Sequence, residues 1–85
     1  MAEQEIGVVT HYFGHISVAA IVLTSGEVAV GDTVRIKGHT SDVTTTIESM
    51  QLDHKPVDKA ARGGNIGIKV PAHVREHDKV YKIAP

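Results

Sequence analysis

Short β-type segments separated by turns are the feature that most constrains how this chain can fold. Residues 6–13, 16–23 and 33–37 are rich in β-branched or alternating apolar side chains, and glycine recurs between such runs. A two-residue period indicates strands, and turn residues between them are typical of antiparallel sheets. No stretch shows the 3.6-residue period of a helix of convincing length. The sequence therefore predicts an all-β fold.

The pattern predicts about six strands. They are residues 6–13, 16–23, 33–37, 43–52, 65–70 and 79–83. The strand 16–23 is apolar on both faces, which is typical of a well-buried strand, and in 33–37 Val34 and Ile36 should point inward. Residues 26–32 are interpreted as a tight connection, and residues 57–61 as one helical turn or a loop.

A small closed antiparallel β-barrel of six to seven strands is the predicted architecture, because closure leaves no exposed edge strand in so short a chain. With 85 residues, the chain fits one domain, residues 1–85, that buries roughly 60–65% of its open-chain surface. Aromatic residues are only 4% of the sequence, so the core must be aliphatic. Residues 1–5 are expected to form a flexible N-terminus.

The cellular setting is predicted from what the composition excludes. The chain contains no cysteine, which removes disulfides, thiolate zinc sites and cysteine nucleophiles together. Its acidic start lacks the basic and apolar regions of a signal peptide, and its longest apolar run is too short to span a bilayer. We therefore expect a cytoplasmic protein with no membrane contact.

Charge is distributed unevenly along the chain. The net charge is −1. Residues 1–32 carry four acids and no lysine or arginine, whereas residues 33–85 carry nine basic residues against six acids. A basic face for an anionic partner is one interpretation. Scattered solvent charge is the favoured one, because dedicated nucleic-acid binders are usually much more basic.

Histidine pairs are the first candidates for chemistry. His73 and His77 could share a helical face as metal ligands, but no third ligand is set by spacing. His11 and His15 flank a turn and are interpreted as surface residues. His54 beside Asp53 could act as a base with an orienting acid, yet no nucleophile completes such a site. We expect no catalytic residues, no metal site and no enzymatic activity of the chain itself.

The glycine-rich segment 63–67 is the other candidate. A phosphate-binding loop needs G-x-x-x-x-G-K-[ST] leading into a helix. Here the segment leads into a predicted strand, and Lys69 is not at the required place. We therefore expect no bound nucleotide and no cofactor, and interpret these glycines as devices for sharp strand entry.

Residues 46–67 carry a family resemblance. Thr46-Ile47-Glu48-Ser49-Met50-Gln51-Leu52-Asp53-His54-Lys55, followed by Ala60-Ala61-Arg62-Gly63-Gly64-Asn65-Ile66-Gly67, resembles the second domain of translation elongation factors. Upstream, Gly26 to Asp32 before Thr33-Val34 is similar to that family's turn and strand. Downstream, Val74 to Val80 is similar to its final turn and strand. The resemblance covers most of residues 7–83 and includes neither the GTPase domain nor the third domain.

Two positions depart from that family. Gly64 stands where the family usually has Asp or Glu, and Gln51 stands where elongation factors commonly carry an acid near the aminoacyl-tRNA end. The segment from Gly7 through Thr40 also resembles the accessory domain of the collagenase-like peptidase family, several members of which modify RNA. It is similar, too, to stand-alone proteins described as translation-elongation-factor-like.

The resemblance implies a non-catalytic translation-elongation-factor-like barrel that binds RNA or a ribonucleoprotein such as a ribosome-associated factor. The candidate contacts are basic or polar residues at outward or loop positions: Arg35, Lys37, His39, His54, Lys55 and Arg62. The alternative is a protein-interaction domain that docks onto an enzyme, such as a collagenase-like peptidase or an RNA-modifying partner. Near-neutral net charge favours this alternative, and both hypotheses remain open on the sequence.

Overall fold

The chain is all-β in a computed structural model that describes residues 3–52 and 55–83. Within those residues there are ten strands and no helix. The strands are β1 (Glu3–Phe13), β2 (Val18–Leu23), β3 (Glu27–Ala29), β4 (Thr33–Lys37), β5 (Asp42–Thr46), β6 (Met50–Leu52), β7 (Lys55–Val57), β8 (Lys59–Ala61), β9 (Asn65–Lys69) and β10 (Lys79–Ile83). The predicted all-β class is confirmed.

Eight strands form one antiparallel sheet in the order β5-β4-β10-β1-β2-β9-β6-β7, and β3 pairs with β8 in a second, two-stranded sheet. The long strand β1 lies between β10 and β2 and shifts register against each of them, between Glu5 and Gly7 and between Val9 and His11. Such irregularities bend and twist a strand. They let β1 follow a sheet that curves round its own core.

Alternate residues of the strands build one aliphatic core, as the two-residue period requires. In β2, Ala19, Ile21 and Leu23 are buried, and in β4 the inward positions are Val34 and Ile36, as predicted. The remaining core side chains are Ile6, Val9, Val28, Ile47, Met50, Ala60, Ile66, Ile68, Val70, Val74 and Val80. Burial of these side chains from both sheets is the main source of stability, at about 25 cal/mol per Å² of apolar surface.

Closure of the barrel is the part of the predicted architecture that is not confirmed. β5 and β7 are the two ends of the large sheet, and no ladder among the described residues joins them. The strand number also exceeds the predicted six to seven, because several predicted connections are themselves short strands. Residues 26–32 contain β3, and residues 57–61 contain all of β8 instead of a helical turn or a loop.

The predicted strand 43–52 is wrong as one element. The chain leaves β5 after Thr46, buries Ile47 and enters β6 at Met50. The backbone N–H of Ile47 donates to the Asp32 carbonyl at 2.9 Å, and its own carbonyl accepts from Gly31 at 2.8 Å. These contacts with the β3–β4 turn hold the segment in which the chain crosses from β5 to β6, on the opposite side of the large sheet.

The ends of β1 and β2 also differ from the prediction. β2 begins at Val18 instead of residue 16, and a turn of residues 14–17 joins it to β1. Residues 3–5, assigned from the sequence to a flexible N-terminus, lie in β1 and pair with β10 opposite Ile83, Lys82 and Tyr81.

Candidate interaction surface

A groove lies on the outer face of the sheet where β1, β2, β9 and β6 run side by side. Register places Phe13, Val18 and Lys69 in one row across three strands. The next row contains Ala20 and Gly67, with Gln51 beyond them on β6. Because Ala20 has only a methyl side chain and Gly67 has none, the second row forms the floor of a hollow between larger side chains.

We call this hollow the Gly67 groove, and its volume is about 570 Å³. It is lined by Phe13, Ile16, Val18, Ala20, Ser49, Met50, Gln51, Gly67 and Lys69. A side chain on Gly67 would enter the groove and contact Val18 Cγ1 at 3.3 Å. The missing side chain at this position therefore contributes directly to the depth of the groove.

The β1–β2 turn holds apolar side chains at the mouth of the groove. Ile16 donates its backbone N–H to the Phe13 carbonyl at 3.2 Å, and Ser17 adopts a positive φ of 56°. Ile16 is 53% exposed and Phe13 is 39% exposed. Large apolar side chains clustered at an exposed turn beside a groove mark an interaction site more often than isolated ones do.

A second, smaller hollow of about 260 Å³ adjoins the Gly67 groove and shares Ser49 and Lys69 with it. Its other lining residues are Thr45, Thr46, Glu48, Val70 and Pro71. Thr45 and Thr46 belong to β5, the end strand of the large sheet. The two hollows together form an elongated depression that runs from the β1–β2 turn towards an edge strand.

Arg35, the first candidate contact, is held in ion pairs. Its Nε and Nη2 donate to the two carboxylate oxygens of Asp42, each at 2.8 Å, and Nη1 donates to Glu3 Oε2 at 3.0 Å. The hydrogen bonds from Arg35 lower the pKa of Asp42 below its ordinary value, and the positive charges of Arg35 and Lys37 act in the same direction. The carboxylates of Asp42 and Glu3 thus already neutralise the charge of Arg35, so Arg35 is poorly suited to bind a phosphate group.

The other candidate contacts are spread over the molecule. Lys37 ends β4, His39 lies in the β4–β5 turn, Lys55 begins β7, and Arg62 lies in the β8–β9 turn. In the large sheet, β4 and β7 are separated by β10, β1, β2, β9 and β6. His54 lies outside the described residues, as does Asp53, its proposed orienting acid.

One histidine of each candidate pair makes aromatic or polar contacts. His11 Nδ1 lies 3.5 Å from Glu76 Oε1, and His73 packs edge-on against Tyr12 with ring centroids 4.6 Å apart. Across residues 3–52 and 55–83, no group of three His, Asp or Glu side chains could hold a metal ion. In the same residues no helix is long and apolar enough to cross a membrane.

The glycine-rich segment leads into a strand, as predicted. Gly63 has a φ of 92°, and its N–H donates to the Leu23 carbonyl at 2.8 Å. The N–H of Gly64 donates to Ala61, and its carbonyl accepts from Leu23 at 2.9 Å. The Gly63 N–H and the Gly64 carbonyl thus hold the turn against β2, and the Gly64 N–H closes the turn itself, so neither N–H group is directed at a ligand.

Sequence reasoning missed the residues of the Gly67 groove, although a signal was present. The predicted strand at residues 16–23 is apolar on both faces, and this pattern predicts burial on both sides. In the structure Ala19, Ile21 and Leu23 fill the core, while Val18, Ala20 and Val22 are only half-buried on the outer face. A second apolar face can indicate an interaction surface as well as a buried strand.

The strand pairing and the lining of the Gly67 groove define the protein as a small antiparallel β-module with an apolar groove on its outer face. Residues 17–80 match the model of the elongation factor Tu domain 2 family. This match spans well over half of the chain, and the chain therefore belongs to that family.

Relatives of known sequence place similar segments inside larger proteins. The chain is 41% identical over 78 residues to an uncharacterized protease of Methanocaldococcus jannaschii, a match covering 91% of this chain and 19% of that protein. It is 36% identical over 72 residues to a collagenase of Porphyromonas gingivalis, covering 84% of this chain and 20% of the collagenase. The chain thus spans about a fifth of the length of the relatives it matches.

Solved structures show the same fold. The C-terminal domain of a Geobacillus thermoleovorans protein named as a U32 peptidase superimposes with a TM-score of 0.87 at 19% identity, covering 95% of this chain and 93% of that domain. Its selenomethionine variant gives a TM-score of 0.84 over 91% and 96% of the two chains. At this identity the similarity concerns the fold alone.

Proposed function

We propose that this chain is a non-catalytic accessory domain that docks onto the catalytic part of a protein of the collagenase-like peptidase family. One observation carries the proposal: the matching segments of the protease and the collagenase are only about a fifth of those proteins, at 41% and 36% identity. A small domain of this kind contacts the larger remainder of such a protein, and we expect part of its surface to be adapted to that contact.

The distribution of surface features supports docking over catalysis. The His11 and Glu76 side chains are more than half exposed, and the hollow of about 430 Å³ that they line contains, among the described residues, no serine or cysteine that could act as a nucleophile. The Gly67 groove is instead lined mainly by apolar side chains. Aromatic and aliphatic anchors in a groove are typical of the centre of a protein interface.

RNA binding is the second candidate function. Lys37, Lys55 and Arg62 favour it, because no ion pair joins them to an acid within the described residues. Two observations weigh against it: Arg35 is already paired with two acids, and the net charge of the whole chain is −1. Neutralising several phosphates needs a cluster of cations on one face.

Cross-linking in cells of the source organism tests both functions together. Mild fixation, affinity recovery of the chain and mass spectrometry should identify cross-links to the catalytic region of a peptidase-family protein. Sequencing of RNA recovered in the same sample provides the competing measurement. Abundant RNA cross-links at Lys37, Lys55 or Arg62, with no peptidase-family peptide recovered, would overturn the docking proposal in favour of RNA binding.

A further inference from the structure

We propose that the Gly67 groove is the docking site itself, and that it receives a short extended segment of the partner protein in which an aliphatic or aromatic side chain is followed closely by a carboxylate. This inference rests on the proposed function and adds the surface and the chemistry of the segment that it recognises. It follows from three observations: the exposed apolar wall of the groove, the elongated shape of the depression that the groove forms with the smaller hollow, and the lysine that lines both of them.

The apolar wall indicates what fills the groove. Phe13 and Ile16 are held outward by a turn with its own hydrogen bond, so their exposure is built into the backbone. Val18 and Ala20 continue the apolar surface along β2. The volume of about 570 Å³ lies within the roughly 300–1,000 Å³ range of ligand pockets. An apolar side chain entering it would release water from both surfaces.

The shape of the depression indicates an extended segment. The Gly67 groove and the smaller hollow meet at Ser49 and Lys69, and the smaller hollow ends at Thr45 and Thr46. β5 has β4 on one side, and its other edge pairs with no strand in the described residues. Extended peptides bind sheet edges through main-chain hydrogen bonds, and side-chain pockets add specificity.

The charge of the groove predicts which group lies next to the apolar anchor on the partner segment. Lys69 is the charged residue that lines the Gly67 groove. Its ammonium group makes no ion pair with any acid in the described residues. A carboxylate next to the apolar anchor would meet this ammonium group where the two hollows join.

The same charges argue against a nucleic-acid strand as the occupant. Glu48 lines the smaller hollow, so a phosphodiester chain that continued past Lys69 would approach a carboxylate. A peptide of the proposed kind carries one carboxylate, which can lie beside the Lys69 ammonium group, and its backbone on either side is uncharged. The depression therefore fits a peptide better than a polyanion.

A titration followed by NMR tests the predicted chemistry. The probe is an acetylated, amidated hexapeptide in which adjacent leucine and glutamate are flanked by glycine and serine. We expect saturable amide shifts confined to residues 13–20, 49–51 and 67–69, with a Kd of roughly 1 mM, as suits an isolated anchor. A matched peptide with lysine in place of glutamate should bind about fivefold more weakly.

Two variants make the test specific. Lys69→Glu should reverse the preference, so that the lysine peptide binds more tightly than the glutamate peptide. Ala20→Leu should fill the floor of the groove and weaken both peptides at least tenfold. Val30→Ser is the matched control, because Val30 is 40% exposed but does not line either hollow. It should leave both affinities unchanged, and unfolding curves should show that all variants are folded.

Several outcomes would overturn the inference. They are shifts that do not saturate by about 10 mM peptide, equal binding of the two peptides, and saturation of the same residues by adenosine monophosphate alone. Shifts in the same residues that grow with protein concentration in the absence of peptide would identify a second copy as the occupant.

The cellular experiment separates this inference from the proposed function. If Ala20→Leu abolishes the cross-links to the peptidase-family protein, the groove is the docking site. If the cross-links persist with Ala20→Leu, docking occurs through another surface, so the proposed function stands and this inference fails. If even the unaltered chain gives none, the proposed function fails, whatever the peptide titration shows.

Discussion

The carboxylate of Asp78 fills the space beside Gly38 that a side chain at that position would need. Asp78 is 5% exposed, and its Oδ2 accepts the backbone N–H of Arg75 at 2.9 Å. Its carbonyl accepts the N–H of Val9 at 2.8 Å. One residue therefore ties the turn before β10 to β1 and to the end of β4.

Gly38→Ala should destabilise the protein by about 1–3 kcal/mol, because the added methyl group overlaps the Asp78 carboxylate. Asp78→Ala should cost about 1–2 kcal/mol through loss of the hydrogen bond to Arg75. The double variant should be more stable than the sum of the two single effects implies, since removing the carboxylate makes room for the methyl group. Urea unfolding of the four proteins measures this coupling.

Gly7→Ala is the matched control for that cycle. A methyl group at Gly7 would overlap the backbone carbonyl oxygen of Val22 on the neighbouring strand. Because no side-chain deletion can relieve a clash with backbone, Asp78→Ala should leave the effect of Gly7→Ala unchanged. Full additivity in the Gly38 cycle as well would show that Gly38 is not constrained by Asp78.

Ile47→Ala and Ile16→Ala remove the same atoms from opposite environments. Ile47 is 2% exposed in the core, and Ile16 is 53% exposed at the mouth of the groove. We expect a loss of about 2–5 kcal/mol for Ile47→Ala and a change within about 0.5 kcal/mol for Ile16→Ala. Thermal and urea unfolding provide the comparison. Similar losses for the two variants would contradict the assignment of Ile16 to an exposed surface.

The Arg35–Asp42 pair should appear in the acid titration of the protein. Hydrogen bonds from Arg35 lower the pKa of Asp42 below its ordinary value of 3.8. A carboxylate with a lowered folded-state pKa stabilises the fold above its unfolded pKa, and this contribution is lost as the pH falls through the folded value. In Arg35→Gln the NMR titration midpoint of Asp42 should rise towards 3.8. An unchanged midpoint would mean that the pair does not form in solution.

The basic residues outside that pair provide the final prediction. Replacing Lys37, Lys55 and Arg62 together by glutamine should leave cross-linking to the peptidase-family partner unchanged, because none of them lines either hollow. Ile16→Ser should reduce it. If the triple variant alone loses its partner, recognition is electrostatic, and its affinity should then fall steeply with salt concentration.

Local features of the fold could be predicted from local sequence. The alternation of apolar and polar residues predicts Val34 and Ile36 in the core, where the structure places them. The glycines at 63–67 are followed by neither the lysine nor the helix that a phosphate loop needs, so they are predicted to lead into a strand, which the structure confirms. The elongation-factor-like family was also recognisable from motif order. Each of these depends on residues a few positions apart, where side-chain period and backbone sterics decide the outcome.

Other features depend on residues that meet only after folding. The break at Ile47 arises because its backbone bonds to Gly31 and Asp32, in a different part of the chain. The partners of Arg35 include Glu3, which is 32 positions away. No local sequence pattern predicts such contacts, and for that reason the sequence alone suggests Arg35 as an unpaired cation.

The sequence by itself determined that the chain is built of strands around an aliphatic core, because the spacing of apolar residues and the positions of glycine act over neighbouring residues. Tertiary structure alone decided which apolar face is buried and which remains in water. Ala19 and Ala20 are adjacent and identical in chemistry, yet one is in the core and the other is in the floor of the groove. That difference comes from how the sheet curves and from what lies opposite each face.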